Sequence, residues 1–314
     1  MNQLFYKTVA IFSVFLSLPS YSMKKFSPLG NQRISTQQLS LPVAGIGTCG
    51  IKESSSITHA LRKFKFPVVD TAKVYGNENI IGQAIKESGR DPKEIFVITK
   101  LAEDHLKNET TLEEAVKDST TKIGKIPDLF LIHAPYGNIA MLQRIKDLMR
   151  LKQEGRITQW GVSNFDVEHI QFLLKNHLKP ALNQVEIHPS FQRRSLIKWC
   201  QENNILVQAY RPINQGKSLE IDTIKKLAAH YFTSEAQIIY SWLAQFNIGL
   251  LTKVSAKAHL QEYAECELID FSNQELQMIE ALDEGQKGRT CTRGGWFVPF
   301  THEIEKTWAS ESKV

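Results

Sequence analysis

Short apolar runs alternate with longer amphipathic segments from Leu41 almost to the end of the chain. The apolar runs lack the polar alternation of a half-exposed strand, so they predict strands that are buried on both faces. There are eight of them: LPVAGIGT, FPVVDTA, EIFVITK, DLFLIHA, ITQWGVSN, ALNQVEIH, ILVQAYRP and IGLLTKV.

The segments between these runs place apolar residues three and four positions apart, which predicts amphipathic helices. They are SITHALRKF, NENIIGQAIKESG, TLEEAVKDSTTKIG, NIAMLQRIKDLMRLKQEG, DVEHIQFLLKNH, SLIKWCQENN and SEAQIIYSWLAQF. Eight buried strands separated by helices predict an α/β fold, a single-domain (β/α)8 TIM barrel. A doubly wound open sheet is the alternative, but GIGTCG after the first strand lacks the helix start of a dinucleotide-binding glycine motif.

Residues 1–22 stand apart from this alternation. Lys7 precedes an apolar run over residues 8–18 that is too short to span a bilayer, and small residues follow it. This is the layout of a secretory signal peptide cleaved before Met23, which predicts export to the periplasm or the medium. The alternative is that translation starts at Met23 and that the protein is cytoplasmic. All eight strands lie within residues 23–314 under either interpretation.

The composition and charge of the chain exclude several classes of function. The chain has 314 residues, 42% hydrophobic and 23% charged, and its net charge of +5 is spread along its length, so nothing indicates a nucleic-acid surface or a membrane-bound protein. The four cysteines form no C-x-x-C pair. Glu186 and His188 share one face of a predicted strand, but no third ligand accompanies them, so no metal site is predicted. We expect a small-molecule partner.

Polar residues gather at the C-terminal ends of the predicted strands, where barrel enzymes carry their chemistry. They are Thr48, Asp70, Lys100, His133, Ser163, Asn164, Gln184, Glu186, Tyr210 and Lys253, with Tyr75 one loop after the second strand. Each alone is better explained as a strand end, a loop residue or a core residue, but several on one rim indicate a site.

Four of these residues together can transfer a proton. A tyrosine hydroxyl has a pKa near ~10, so the phenol of Tyr75 needs a neighbouring cation such as Lys100 to act near neutral pH. Asp70 would keep that ammonium charged, and His133 could orient a substrate oxygen. Since no side chain is a source of hydride, a redox cofactor must supply it.

The motifs DTAKVYGNENIIGQAI, FVITK, LFLIHAP, WGVSNF, NQVEIHP and VQAYRPI, in this order, resemble those of the aldo-keto reductases, NAD(P)H-dependent enzymes on a (β/α)8 barrel. The resemblance runs from about Leu41 to about Leu276. It implies reduction of aldehydes or ketones to alcohols by hydride transfer, with Tyr75 as general acid and Asp70, Lys100 and His133 as the other catalytic residues. A cofactor-binding barrel with a regulatory or scaffolding role is the alternative, although the complete set of four residues favours the enzyme.

The resemblance also implies a cofactor site formed by Thr48, Asp70, Ser163, Asn164, Gln184, Tyr210, Lys253 and His259. Ser163, Asn164 and Gln184 match the residues that hold the nicotinamide carboxamide. Tyr210 matches the residue that stacks on its ring, and Lys253 matches the one that reaches the adenosine phosphate.

The last strand departs from the family pattern at the adenosine end of this site. His259 replaces an arginine, Tyr263 replaces an asparagine and Val254 replaces a serine. We therefore expect NADPH as the cofactor, with a smaller preference over NADH than in relatives that keep the arginine.

The predicted substrate pocket comprises Cys49, Tyr75, His133, Ala134, Trp296 and Phe297. Cys49 and Ala134 stand where relatives often carry larger aromatic residues, which predicts a pocket that is wider on one side. Trp296 and Phe297, with Phe300, could close it as an apolar lid or could only pack the tail onto the barrel. A monomer or weak oligomer is expected.

Overall fold

The computed structural model describes residues 28–253, 257–291 and 298–310. The predicted signal peptide, residues 1–22, lies outside these ranges, as do Val254, Trp296 and Phe297.

Eight parallel strands form a closed barrel, as predicted, and each strand pairs with its neighbours in chain order until the last pairs with the first. The barrel strands are β3 (Ala44–Gly47), β4 (Val68–Asp70), β5 (Phe96–Leu101), β6 (Leu129–Ile132), β7 (Trp160–Ser163), β8 (Leu182–Glu186), β9 (Leu206–Tyr210) and β10 (Gly249–Lys253). Most of their residues are buried, because helices cover the outside of the barrel and side chains fill its interior.

Helices follow the strands and pack around the barrel. They are α1 (Ser55–Lys63), α2 (Glu78–Ser88), α3 (Glu109–Ile123), α4 (Met141–Gln153), α5 (Val167–Lys175), α6 (Arg194–Glu202), α7 (Asp222–His230), α8 (Glu235–Gln245), α9 (Lys257–Ala264), α10 (Asn273–Glu280) and α11 (His302–Ala309). None of the helices in this described part of the chain is both long enough and apolar enough to cross a membrane.

An antiparallel hairpin precedes the barrel and was not predicted. Its strands are β1 (Arg33–Ser35) and β2 (Ser40–Pro42), which bury the side chains of Ile34 and Leu41. A side chain built at Gly249, the first residue of β10, would contact both of them. The hairpin therefore lies against the N-terminal end of β10, opposite the end where the polar residues gather.

The C-terminal helix α11 packs against α4, and its Trp308 joins an aromatic cluster with residues in and just before α5. Trp308 is fully buried, and its Nε1 donates a 2.8 Å hydrogen bond to the carbonyl of Tyr136. Its ring lies 5.5 Å from the ring of Phe300 and 5.6 Å from that of Phe165. Phe300 thus packs the tail onto the barrel.

Candidate active site

The four residues predicted to transfer a proton lie together at the C-terminal rim. Asp70 ends β4, Lys100 lies in β5, His133 follows β6, and Tyr75 lies on a short 3-10 turn after β4. The Nζ of Lys100 lies 5.2 Å from the centroid of the Tyr75 ring, and the His133 ring meets the Tyr75 ring edge-on at 6.0 Å. The half-buried phenol therefore has the ammonium on one side and the imidazole on another.

Asp70 and Lys100 form a buried ion pair. Asp70 Oδ1 lies 2.6 Å from Lys100 Nζ, and the two residues are only 4% and 1% exposed. Burial raises the pKa of Asp70, against the opposing effects of Lys100 and Gln184, and burial lowers the pKa of Lys100 against the effect of Asp70. Lys100 also donates to the carbonyl of Thr71 at 2.9 Å. These hydrogen bonds offset part of the cost of burying two charges.

The turn that carries Tyr75 is held by Asn77. The turn ends at Gly76, whose φ of 66° lies in the left-handed region that glycine adopts without strain. The Asn77 amide then donates to the carbonyls of Thr48 at 2.9 Å and Ile51 at 3.2 Å, and its Oδ1 accepts from the Thr71 hydroxyl at 2.8 Å. Asn77 thus ties the Tyr75 turn to the loop after β3.

The residues predicted to hold the nicotinamide carboxamide lie across the rim, at the ends of β7 and β8. Ser163 donates to the carbonyl of Gln184 at 2.8 Å, and Asn164 donates to the carbonyl of His133 at 2.9 Å. Asn164 has a φ of 64°, an uncommon conformation that aims its amide into this network. Tyr210 donates to Asn164 Oδ1 at 2.7 Å, and burial raises the pKa of its phenol well above the usual value.

The residues on the loop after β3 border the same rim. The buried Thr48 hydroxyl donates to the carbonyl of Asp70 at 2.9 Å, so Thr48 supports Asp70 through its backbone. Cys49 is exposed, whereas Ala134, beside His133, is fully buried.

Lys253 and His259 were predicted for the adenosine end, and Tyr263 replaces a residue of the family motif near them. Lys253 lies at the end of β10, and its Nζ reaches the loop after β3. There it lies 3.7 Å from the position that a Cβ atom would take at Gly50. His259 is exposed on α9. Tyr263 is fully buried, accepts from Gly45 N at 3.2 Å and donates to Leu250 O at 3.1 Å, so it joins β3 and β10 instead of reaching the rim.

Glu186 has a role that the sequence did not indicate. It is fully buried and accepts hydrogen bonds from the backbone of Thr290 at 3.2 Å, from its hydroxyl, and from the backbone of Cys291 at 3.0 Å. His188 Nε2 and Arg211 Nη1 lie 3.6 and 4.0 Å from its Oε1. Glu186 therefore anchors the C-terminal segment to the rim.

The structure also bears on the interpretation of Glu186 and His188 as ligands of a metal ion. Within residues 28–253, 257–291 and 298–310, no three His, Cys, Asp or Glu side chains are grouped as a metal site.

The sequence contains one weak indication that Glu186 would lie at the rim. Glu186 lies two residues after Gln184, so the two side chains share one face of the strand.

A closed (β/α)8 barrel with this set of polar side chains at its C-terminal rim has the architecture of a barrel enzyme. The model of the Aldo/keto reductase family matches residues 52–284, and the chain belongs to this family. Membership of this family makes the protein an oxidoreductase.

Individual relatives agree with this assignment. The uncharacterized oxidoreductase YtbE of Bacillus subtilis is 32% identical over 253 residues, which are 78% of this chain and 90% of YtbE. The glyoxal reductase of the same species is 30% identical over 79% of this chain and 91% of its own length. The structure of a Bombyx mori aldo-keto reductase in complex with NADP is 25% identical, with a TM-score of 0.76 over 83% of this chain and 95% of that one.

Proposed function

We propose that this protein reduces aldehydes or ketones to alcohols, with NADPH as the hydride donor and Tyr75 as the general acid. The observation that carries the proposal is the buried pair of Asp70 and Lys100, whose ammonium faces the Tyr75 ring while His133 lies at its edge. The glyoxal reductase relative supports a small carbonyl compound as the substrate.

The side chains divide the proton transfer between them. A carbonyl oxygen that accepts hydrogen bonds from Tyr75 and His133 gains negative charge as its carbon is reduced. The Tyr75 proton moves to that oxygen as the C=O π bond breaks and the new O–H bond forms. The Lys100 ammonium then stabilises the phenolate that is left, and Asp70 keeps Lys100 charged. Solvent returns a proton to Tyr75 after the alcohol leaves.

NADPH fits the residues that line the rim. When bound, it supplies the hydride that forms the new C–H bond at the carbonyl carbon. Among the described residues, none donates a hydrogen bond to Oε1 of the buried Gln184, which leaves an acceptor for an amide such as the carboxamide. Ser163, Asn164 and Tyr210 would complete the nicotinamide side, and Lys253 and His259 the phosphate end.

The first test is a substrate panel with the purified protein. NADPH oxidation followed by absorbance should be fast with glyoxal and with aromatic aldehydes, and it should require the carbonyl compound. Replacing Lys100 with Met should lower kcat by about a hundredfold or more, because the phenolate loses its cation. Tight binding of NADPH without turnover of any carbonyl compound would contradict the proposal and would support a cofactor-binding role.

A further inference from the structure

Two buried glutamines lie side by side on neighbouring strands, Gln184 at the proposed nicotinamide site and Gln208 beside it. Gln184 in β8 and Gln208 in β9 are opposite each other in the parallel register, and they are 2% and 0% exposed. Barrel interiors are usually filled with branched apolar side chains. Burying two amides is costly unless their hydrogen-bonding groups are satisfied, so their presence there calls for a reason.

The Gln184 amide uses both of its hydrogens. Its Nε2 donates to Asp70 Oδ2 at 2.8 Å and to Gln208 Oε1 at 2.9 Å. Turning the amide over would place Gln184 Oε1 against two acceptor oxygens, which is unfavourable in a buried site. The acceptor of Gln208 therefore strengthens the orientation in which the Gln184 amide nitrogen faces Asp70.

The amide nitrogen of Gln208 does not stabilise the fold. Stability therefore does not explain why this buried residue is a glutamine. Its Nε2 is buried and has no hydrogen-bond partner in the part of the chain that the structure describes. An unsatisfied buried donor is destabilising, so an apolar residue of the same size would satisfy the packing at lower cost. The useful part of Gln208 is its acceptor oxygen.

We propose that Gln208 is a positioning residue for carbonyl reduction: it orients the Gln184 amide so that Asp70 keeps one oxygen bound to Gln184 and presents the other to Lys100. The kinetic consequence of this arrangement rests on the proposed function. The chain of contacts runs from Gln208 through Gln184 and Asp70 to Lys100, and from Lys100 to the ring of Tyr75.

Loss of the Gln208 acceptor oxygen should raise the pKa of the Tyr75 phenol. With only one acceptor left to hold the Gln184 amide nitrogen, the hydrogen bond to Asp70 is less well fixed, its charge is less stabilised, and Lys100 becomes a weaker cation beside the phenol. Tyr75 then becomes a weaker acid. Besides Asp70, the titratable groups that face Lys100 or Tyr75 in the described part of the chain include Cys49, on the loop after β3, and His133, after β6.

The test compares Gln208→Met, which keeps the volume but removes the acceptor, with Gln208→Glu, whose carboxyl group keeps an acceptor oxygen. Gln208→Met should lower kcat about fivefold, the effect of losing one hydrogen bond, with the KM for the carbonyl substrate within about twofold. The alkaline limb of its kcat profile should move to higher pH. Gln208→Glu should keep kcat within about twofold of the original protein.

A second readout needs no turnover. The absorbance of tyrosinate in the free protein, measured for each variant with and without Tyr75→Phe, gives the pKa of Tyr75. We expect this pKa to rise in Gln208→Met, and also in Gln208→Asn, whose shorter side chain withdraws the acceptor. Gln192→Met is the matched control, because Gln192 is equally buried but donates to the carbonyls of Pro189 and Ile279.

The inference is overturned if Gln208→Met and Gln208→Asn change only thermal stability while the Tyr75 titration stays unchanged. It is also overturned if Gln208→Glu loses as much activity as Gln208→Met, or if Gln192→Met moves the Tyr75 titration equally. Failure of the original protein to reduce any carbonyl compound would refute the proposed function instead, and the free-protein titration would still decide the role of Gln208.

Discussion

Replacing Glu186 with Gln should destabilise the protein by an amount that depends on pH. Burial raises the pKa of Glu186, but the nearby His188 side chain and the hydrogen bonds from Thr290 and the Cys291 backbone outweigh that effect and lower the pKa from 4.5 to about 2. A carboxyl group shifted this far on folding contributes roughly 3 kcal/mol to the free energy of unfolding at neutral pH. Glutamine loses this charge and turns an NH2 group toward backbone donors.

The pH dependence follows from the sign of that shift. Because the folded-state pKa lies below the unfolded-state value, the stabilisation is complete above pH 4.5 and is lost as the pH falls towards about 2. The difference between the original protein and Glu186→Gln should therefore be roughly 3 kcal/mol at pH 7 and smaller by about 1 kcal/mol near pH 4.

Urea unfolding at several pH values measures this difference directly. Glu202→Gln is the matched control, because Glu202 is exposed and lies 3.8 Å from Lys198, a surface pair that should contribute less than about 1 kcal/mol. The reasoning is refuted if Glu186→Gln unfolds at the same urea concentration as Glu202→Gln, or if its deficit does not shrink in acid.

Three further predictions concern other parts of the molecule. His259→Arg should raise the ratio of kcat/KM for NADPH to that for NADH by about tenfold, because an arginine fork binds a phosphate through two hydrogen bonds and an imidazole does not, and an unchanged ratio would contradict this. Trp308→Ala should lower the free energy of unfolding by about 3–5 kcal/mol and expose the tail to limited proteolysis, and resistance equal to that of the original protein would contradict the packing described for α11. Asn77→Ala should lower kcat by about tenfold with NADPH affinity unchanged, since it frees the turn that carries Tyr75, and a loss confined to NADPH binding would contradict this role.

The barrel was predictable because its signal is local. Each strand is an apolar run and each helix has its own periodicity, so the eight strands and seven of the helices could be placed from the sequence. The observed strands are shorter than the runs, as in β4 (Val68–Asp70), because the last residues of a run leave the sheet to form the rim. Helix α7 (Asp222–His230) was missed although its apolar spacing is regular, and the hairpin of β1 and β2 is too short to stand out.

The candidate site was predictable to a smaller extent. Asp70, Lys100 and His133 end or follow neighbouring strands, so their proximity follows from the barrel alone. The anchor at Glu186 could not be foreseen, because Thr290 lies 104 residues further along the chain. Tyr263 was recognised only as a replacement for the asparagine of the family motif, and its ring is buried against that of Phe66, with the ring centroids 5.3 Å apart. Long-range packing of this kind leaves no local pattern.

The most direct test of the central claim is single-turnover reduction by Tyr75→Phe. The phenol is proposed to act on the substrate oxygen and to touch no part of the cofactor. The account therefore predicts that the rate of NADPH oxidation with glyoxal falls by about a hundredfold to ten-thousandfold, while the Kd for NADPH, measured by fluorescence, stays within about twofold. Reduction at an undiminished rate, or loss of NADPH binding in parallel with activity, would contradict the claim that Tyr75 is the proton donor.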